Sequence, residues 1–543
     1  MKKLLFILVA VILITGVIFS GCAKEKATTT PAATTAPATT KAPVTTTAPA
    51  PTTVTPQYGG VLKIISNPGL INIGVPGVVA ASNDGSYRQP VLEQLLRYDV
   101  EGKGQVVAHL ATDWKYNADY TTLTMTLRKG IKFHDGTDFN AAAAKFSLDM
   151  VINSTFSDLK TVSSIDIVDD YTIRLNLKTY DSALLSSIAS QNCPIVSPAA
   201  FNSLGKDASQ THPVGTGAFM FESYTRDVSL KFKKFTGYWM PGKPYLDGIE
   251  FVLIADPVVR LASLKAGEAH ILRAIANVDA ASLKATGKYN LNTVEMATNC
   301  IAVDSAHPDS IFANIKVRQA IAYALDNAAI AKAVGMGFFL PTNQLMSPAN
   351  VNYNSAIAGY PYNVEKAKQL LKEAGYPNGF DTKLSYRAGA FEGDFCTQIQ
   401  AYLKAVGINA QLDLADAARF NDLRVKGFNN QMVLYTFPQG PEKDFSFYFR
   451  ERLSSQAKMY PPTTVNIPAD YDAKVMAINT ERDDAKRIAL TKEVGKMVID
   501  TYLINIPIQI EVAISAASIQ VKDCDFYKTY AMNYSPEKFW ISK

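Results

Sequence analysis

LTMTLRKGIKFHDGTDFNAAAAKFSLDM, residues 123–150, holds a strand, a tight turn and a helix start in immediate succession. Leu123, Met125 and Leu127 alternate with threonines as in a half-buried strand. Asp135-Gly136 is turn chemistry, and Asn140 can cap a helix whose first turn is alanine throughout. His134 beside Asp135 invites a catalytic reading, but neighbours on a turn seldom converge on one substrate. The expected role of His134 is to pin the turn between strand and helix.

Working outward, Pro90 to Tyr98 and Leu110-Ala111-Thr112-Asp113-Trp114 lie upstream. Downstream, Ile165 and Ile167, then Asp169-Asp170, then Ile173, Leu175 and Leu177 predict a hairpin. Farther out, Gly59-Gly60 precede an apolar run, Val61 to Ile65, read as a first strand, and Asn67 to Pro76 is a Pro/Gly/Asn-rich loop. Leu230 to Phe235 and Ile249 to Leu253 read as strands, and Ala262 to Gly267 as a helix end. Beyond Cys300, Asn314 to Asp326 carries Val317, Ala320, Ile321, Ala324 and Leu325 at helical spacing. Asn363 can cap a second helix that closes at Gly375 before Pro377. Ile399 to Val406 gives a third helix, Ile408 to Leu414 alternates as a strand, and Met432 to Thr436 leads into Phe437-Pro438-Gln439-Gly440-Pro441, read as a rigid turn. The stretch from Ile504 to Ile514 is again strand-like. Helix and strand in repeated alternation imply an α/β lobe with a mixed or largely parallel sheet.

The ends carry different information. Lys2 and Lys3 precede an apolar run, Leu4 to Phe19, that is short for a membrane span and stops at Ser20-Gly21-Cys22, similar to a bacterial lipobox. On that reading residues 1–21 are removed and Cys22 is acylated, several acyl chains giving stable anchoring; an ordinary signal peptide or an uncleaved anchor helix would use the same run. Residues 28–56 are almost entirely Thr, Ala and Pro, a composition that buries no core and favours extended conformations, hence a tether. Lys2, Lys3, Lys24, Lys26 and Lys41 against Glu25 account for +4 of the formal +5, so the body from residue 59 onward is near neutral and charge gives no case for nucleic acid. Cys193, Cys300, Cys396 and Cys524 are widely spaced, with no CxxC; they could form up to two disulfides or remain buried thiols.

Enzyme signatures are missing. The five histidines form no HExxH and no i, i+4 pair, and there is no GxSxG. Gly237 to Pro244 spells a P-loop except at its last position, where proline has no hydroxyl for magnesium. No catalytic residue, metal ligand or cofactor is expected.

The string RKGIKFHDGT (Arg128 to Thr137) resembles a signature of the extracellular solute-binding proteins of family 5, the peptide, nickel and related receptors of ABC importers. Further matches are LLRYD (Leu95 to Asp99), LATDW (Leu110 to Trp114), His212 to Phe219, SLKAGE (Ser263 to Glu268), VRQAIAYALD (Val317 to Asp326) and NVEKAKQLLKEAGYPNGF (Asn363 to Phe380), so the resemblance covers nearly all of residues 59–543. It implies an α/β, two-lobed periplasmic-binding-protein fold of type II, of the three-subdomain cluster C kind, with mixed sheets and a hinge. The implied parts are a lipoprotein signal peptide at 1–21 and a tether at 22–58. Lobe I takes 59–92, 212–300 and 510–543, an accessory subdomain takes 93–211, and lobe II takes 301–509. The implied function is capture of a solute by hinge closure at the outer face of a bacterial membrane. The solute is by default an oligopeptide or dipeptide, delivered to an ABC permease by a monomer held to the bilayer through Cys22. A metal chelate, oligosaccharide or opine is the alternative ligand, and a surface sensor or adhesin the alternative role.

In the family the loop after the first strand faces the cleft, which makes Asn72, Ile73 and Gly74 ligand candidates. Peptide binders of the family often carry an aspartate just after the strand that here ends near Tyr435, to neutralise the peptide's amine. This chain has Tyr435-Thr436-Phe437-Pro438-Gln439 there, and acids only at Glu442 and Asp444. Either one of those acids takes the role or the ligand has no free amine. Arg387, beside Tyr386, is a candidate for a carboxylate or chelate, or an ordinary surface arginine.

Overall fold

The computed structural model describes residues 55–543 apart from 70–71, 78–83, 100–104, 155–156, 158, 390–392, 440–444, 458, 527 and 529–533; Cys22, the tether up to residue 54, Glu442 and Asp444 therefore lie outside the described residues. Two long antiparallel strands, Tyr289–Val303 and Asn505–Ser518, form the spine of an eleven-stranded mixed sheet. On one side of this spine the sheet continues through Ile271–Leu272, Val61–Ser66, Gly248–Leu253, Ser229–Lys234 and Phe219–Thr225. On the other it continues through Met432–Pro438, Phe380–Arg387 and Ile408–Ala415, the last two parallel. Each side has its own hydrophobic core, so the sheet is shared by two lobes. The two spine strands are the only backbone ladder common to both among the described residues.

Local signals explain most elements. Asn140, Asn314 and Asn363 each accept a backbone N–H in the first turn of the helix they precede. The expected hairpin forms with Ile165 opposite Leu175 and Ile167 opposite Ile173. It joins Ala111–Tyr116 and Thr122–Leu127 in a separate four-stranded accessory sheet covered by the helix Ala141–Ile152. One expectation changes: Phe437 and Pro438 continue the strand, with Pro438 opposite Ala297, because a proline at a strand's last position forfeits no interior ladder bond. The four body cysteines are free thiols.

The accessory sheet is bonded into the first lobe by the opening signature. His134 receives the Gly215 N–H at Nδ1 (3.4 Å), so its Nε2–H donates to the Gly217 carbonyl (2.9 Å), and the Arg128 guanidinium lies 4.7 Å from the Trp239 ring centroid. Burial lowers the His134 pKa, consistent with this neutral ring. Glycine is required at 215 by approach alone: a Cβ there would come 2.2 Å from the Val91 carbonyl oxygen. At the centre of the joint Glu93, 5 % exposed, accepts from Thr216 (2.7 Å), Tyr238 (2.8 Å) and Trp239 (3.0 Å) and faces His109 Nε2 at 3.0 Å. Burial alone would raise the pKa of this carboxyl, but His109 and the other donors outweigh it and hold it below the usual range.

Candidate functional site

Strand direction places the cleft. Val61–Ser66 and Ile271–Leu272 run parallel to each other, and Ile271–Leu272 is antiparallel to Asn505–Ser518. Leu272 stands beside Ala516, which pairs with Leu291. From the opposite direction Met432–Pro438 ends with Pro438 against Ala297. The carboxyl ends of the two lobes' strands thus point at each other across residues 292–296, about 17 Å of strand. Ligands of open α/β sheets bind outside such carboxyl ends. Within and beside this span the ladder carries two irregularities, at Glu295/Ala297 and Asn299/Cys300. Bulges of this kind bend a sheet locally. Two buried amides, Asn299 and Gln509, face each other here, each with its side-chain oxygen unpaired among the described residues. Such unpaired polar atoms are uncommon in a rigid core and are tolerated where function requires them.

The outer edge of Asn505–Ser518 carries Ile271–Leu272 at one end, and Leu340–Pro341 pairs with Ile510 and Gln509 at the other. Between these flanking strands, among the described residues, that edge receives one backbone bond, from the Ile275 N–H to the Ile514 carbonyl (3.0 Å). A cavity of about 580 Å³ opens along the same edge. The first lobe lines it with Arg260, Leu272 and Asn277, the second with Phe339 and Gly389, and the spine with residues 511–514. Arg260 Nη1 is buried and without a hydrogen-bond partner among the described residues, and burial lowers the pKa of its guanidinium against the pull of Asp256. Asp279 and Glu511 supply carboxylates to the wall. A fully buried cation, Arg273, follows Leu272; its Nη1 and Nη2 donate to the hydroxyls of Ser66 and Ser86 (3.0 Å each), and it lies over the rings of Tyr87 and Phe526.

The residues singled out from sequence occupy varied places. Asn72 accepts the Gly74 and Val75 N–H groups at Oδ1 and donates to the Val75 carbonyl, and Ile73 is buried in the first lobe's core. Gly74 lies so close to the accessory subdomain that a Cβ would come 1.9 Å from the Ser209 carbonyl oxygen. The Asn72 side chain thus braces its own loop, while the Ile73 N–H, bonded to the Gln210 carbonyl (2.7 Å), and Gly74 tie that loop to the accessory subdomain. Tyr435 packs on Tyr460, the Thr436 carbonyl accepts from Arg452, and Phe437 stacks on Phe445. Gln439 is fully engaged: its Nε2 donates to Thr298 Oγ1 and the Leu345 carbonyl, and its Oε1 accepts from Ser347. Tyr386 packs on the second lobe's core, whereas Arg387 is exposed two residues before the cavity-lining Gly389. Sequence reasoning passed over Arg260, Asn277 and Glu511; an arginine one turn into a helix capped by Asp256 carries no local mark of a cleft.

The family model described as bacterial extracellular solute-binding proteins, family 5 Middle, matches residues 105–458. The chain belongs to family 5. Members of this solute-binding family serve ABC importers outside the cytoplasm. The glutathione-binding protein GsiB of Escherichia coli (strain K12) is 34 % identical over 369 residues, covering 66 % of this chain and 70 % of that protein. Among solved structures, HbpA2 from Haemophilus parasuis superposes with a TM-score of 0.79 at 23 % identity, over 89 % of this chain and 100 % of that one. DppA from Helicobacter pylori in complex with the peptide STSA superposes at 0.72 and 22 % identity, over 90 % and 99 %. These likenesses establish the two-lobed periplasmic-binding-protein fold for this family 5 chain. Among its described residues no helix is long and apolar enough to cross a membrane, and no three His, Cys, Asp or Glu side chains gather as metal ligands.

Proposed function

We propose that this family 5 protein is a lipid-anchored receptor that closes its lobes on a small peptide-type solute and presents it to an ABC permease. The observation that supports this most is the cavity of about 580 Å³ walled by both lobes along an open edge of the spine. That volume lies in the range of small-ligand sites, and an exposed edge can hydrogen-bond the main chain of an extended ligand. Arg260 at one part of the wall, with Asp279 and Glu511 at others, suits a solute bearing both a carboxylate and an ammonium. The glutathione-binding relative and the peptide-bound neighbour agree with a ligand of this size. The pattern asks for binding without turnover.

Calorimetry on the Cys22→Ser chain with glutathione, dipeptides, tripeptides, nickel chelates and oligosaccharides tests the reading. A peptide with free termini is expected to bind, and Arg260→Ala to weaken it at least ten-fold. Tighter binding of end-blocked peptides, or of an oligosaccharide, would reject the assignment. For the anchor, Cys22→Ser is expected to release the protein from membranes; continued membrane retention would reject acylation.

A further inference from the structure

The accessory sheet touches the second lobe as well as the first. Asn117 Oδ1 accepts the Thr122 N–H and its Nδ2 donates to Thr121 Oγ1 (2.9 Å each), while that hydroxyl donates to Asp119 (2.9 Å). This tight turn between Ala111–Tyr116 and Thr122–Leu127 holds Tyr120 at a positive φ of 61°, a conformation that a bulky side chain seldom adopts. Tyr120 stacks on Tyr116 and meets Tyr180 edge-on, both at 5.1 Å. Onto this aromatic step comes Arg482, in the turn between the second-lobe helices Ala469–Thr480 and Asp484–Lys496. Its guanidinium lies 4.6 Å from the Tyr120 ring centroid, and Nη2 donates to the Asp119 carbonyl (3.2 Å). Burial, with Tyr180 and Asp181 beside it, raises the pKa of the Tyr116 phenol well above its ordinary value, and Arg487 from the second of those helices pulls weakly the other way.

The contact lies on neither spine strand. The accessory sheet is bonded to the first lobe through Glu93 and His134. Rotation of the second lobe about the irregular 295–300 segment therefore moves Arg482 relative to Tyr120. We propose that this arrangement, in which both lobes wall one cavity, is the closed body, and that Arg482, seated on Tyr120 and the Asp119 carbonyl, is a latch that favours it whatever solute fills the cleft. Tyr120 is presented rigidly by its turn, so the ordering cost of the contact falls on one arginine. Arginine suits the task better than lysine because its planar guanidinium stacks on a ring while donating a hydrogen bond.

The inference rests on hinge closure, and the experiment separates the two. Small-angle scattering of the dialysed Cys22→Ser chain gives the closed-to-open ratio for the parent, Arg482→Ala, Tyr120→Ala, the double variant and Arg482→Lys. Circular dichroism confirms that each is folded. The expected result is an about two- to five-fold fall in that ratio for either alanine variant. The double variant should fall no further than the singles, because both remove one contact, and Arg482→Lys should lie between. Unchanged ratios, or additive losses in the double variant, against a parent that does open would overturn the latch alone. A parent that never departs from the closed shape would overturn hinge closure and the latch together.

Discussion

Where the accessory sheet meets the first lobe, Glu93 is 5 % exposed and faces donors from Thr216, Tyr238, Trp239 and His109; where it meets the second, the exposed Arg482 rests on one tyrosine ring. Removing one partner from a buried, fully bonded carboxylate strands the others, whereas an exposed cation on a ring is worth little to folding. The first joint is therefore part of the fold, and the second is suited to break and re-form while the fold persists. On the proposed closure, the accessory sheet and first lobe would move as one body, with the second lobe swinging against them on the spine.

The largest test of that contrast is Glu93→Ala, expected to lower the unfolding free energy by about 3–5 kcal/mol in urea titrations. A loss below about 1 kcal/mol would mean that the joint is not bonded as described. The same group sets a pH dependence. Its folded pKa lies below the ordinary 4.5, so its stabilisation is complete above that value and is lost as the pH falls through the depressed folded value. His134 acts in the same direction at higher pH. Its folded pKa is held below 6.5 by burial, so stability begins to decline once the unfolded imidazole protonates, near 6.5 and downward. In the Asp525→Asn background, which removes an opposing titration, melting temperatures taken from pH 7.5 to 3 should fall first below 6.5 and again below 4.5, the second fall being smaller when Glu93→Ala is added.

Next in size is Gly74→Ala. The added Cβ meets the Ser209 carbonyl at 1.9 Å, so a backbone shift at the joint is forced, at a cost of about 1–3 kcal/mol, read from the urea midpoint. Asp525→Asn runs the other way. Burial raises the Asp525 carboxyl to about 6 from 3.8, although the Ser535 N–H bonds to it at 2.9 Å. Because the folded state holds that proton to a higher pH than the unfolded state, stability falls between 3.8 and about 6 and stays low above. The asparagine variant should gain about 1–3 kcal/mol at pH 7.5 and nothing at pH 4. A gain that is equal at both pH values would sink this account. The smallest effect on folding belongs to Arg482→Ala, within about 0.5 kcal/mol of the parent, as for most surface changes.

Much of the architecture was legible where the chain signals locally. Asn140, Asn314 and Asn363 announce their helices because an asparagine cap needs no distant partner, and the Ile165 to Leu177 hairpin follows from alternation, although its two-residue turn falls on Asp170-Tyr171, one residue later than the Asp169-Asp170 signal. His134 acts at its turn and also bonds to Gly215 and Gly217, some eighty residues away, which no local pattern could disclose. The site was less legible for the same reason. Asn72 and Gln439 are polar residues in the expected loops, yet their amides are consumed by the backbone and by Thr298. The cavity wall instead comes from Arg260, Phe339 and Glu511, which converge only when the spine brings three distant segments together. A continuous strand from Tyr289 to Val303 hides the passage between lobes, since strand periodicity does not change where one core gives way to another.

The uncovered edge of Asn505–Ser518 has a consequence for the protein's life between captures. A bare strand edge is a template on which other chains can add, and natural sheets guard such edges with charge, proline or a cover. Here Leu340–Pro341 blunts one approach, and Glu511 and Arg260 stand beside the gap. On the lobe closure proposed above, an open and empty body would present this edge as self-adhesive backbone, and closure would take it out of reach of other chains.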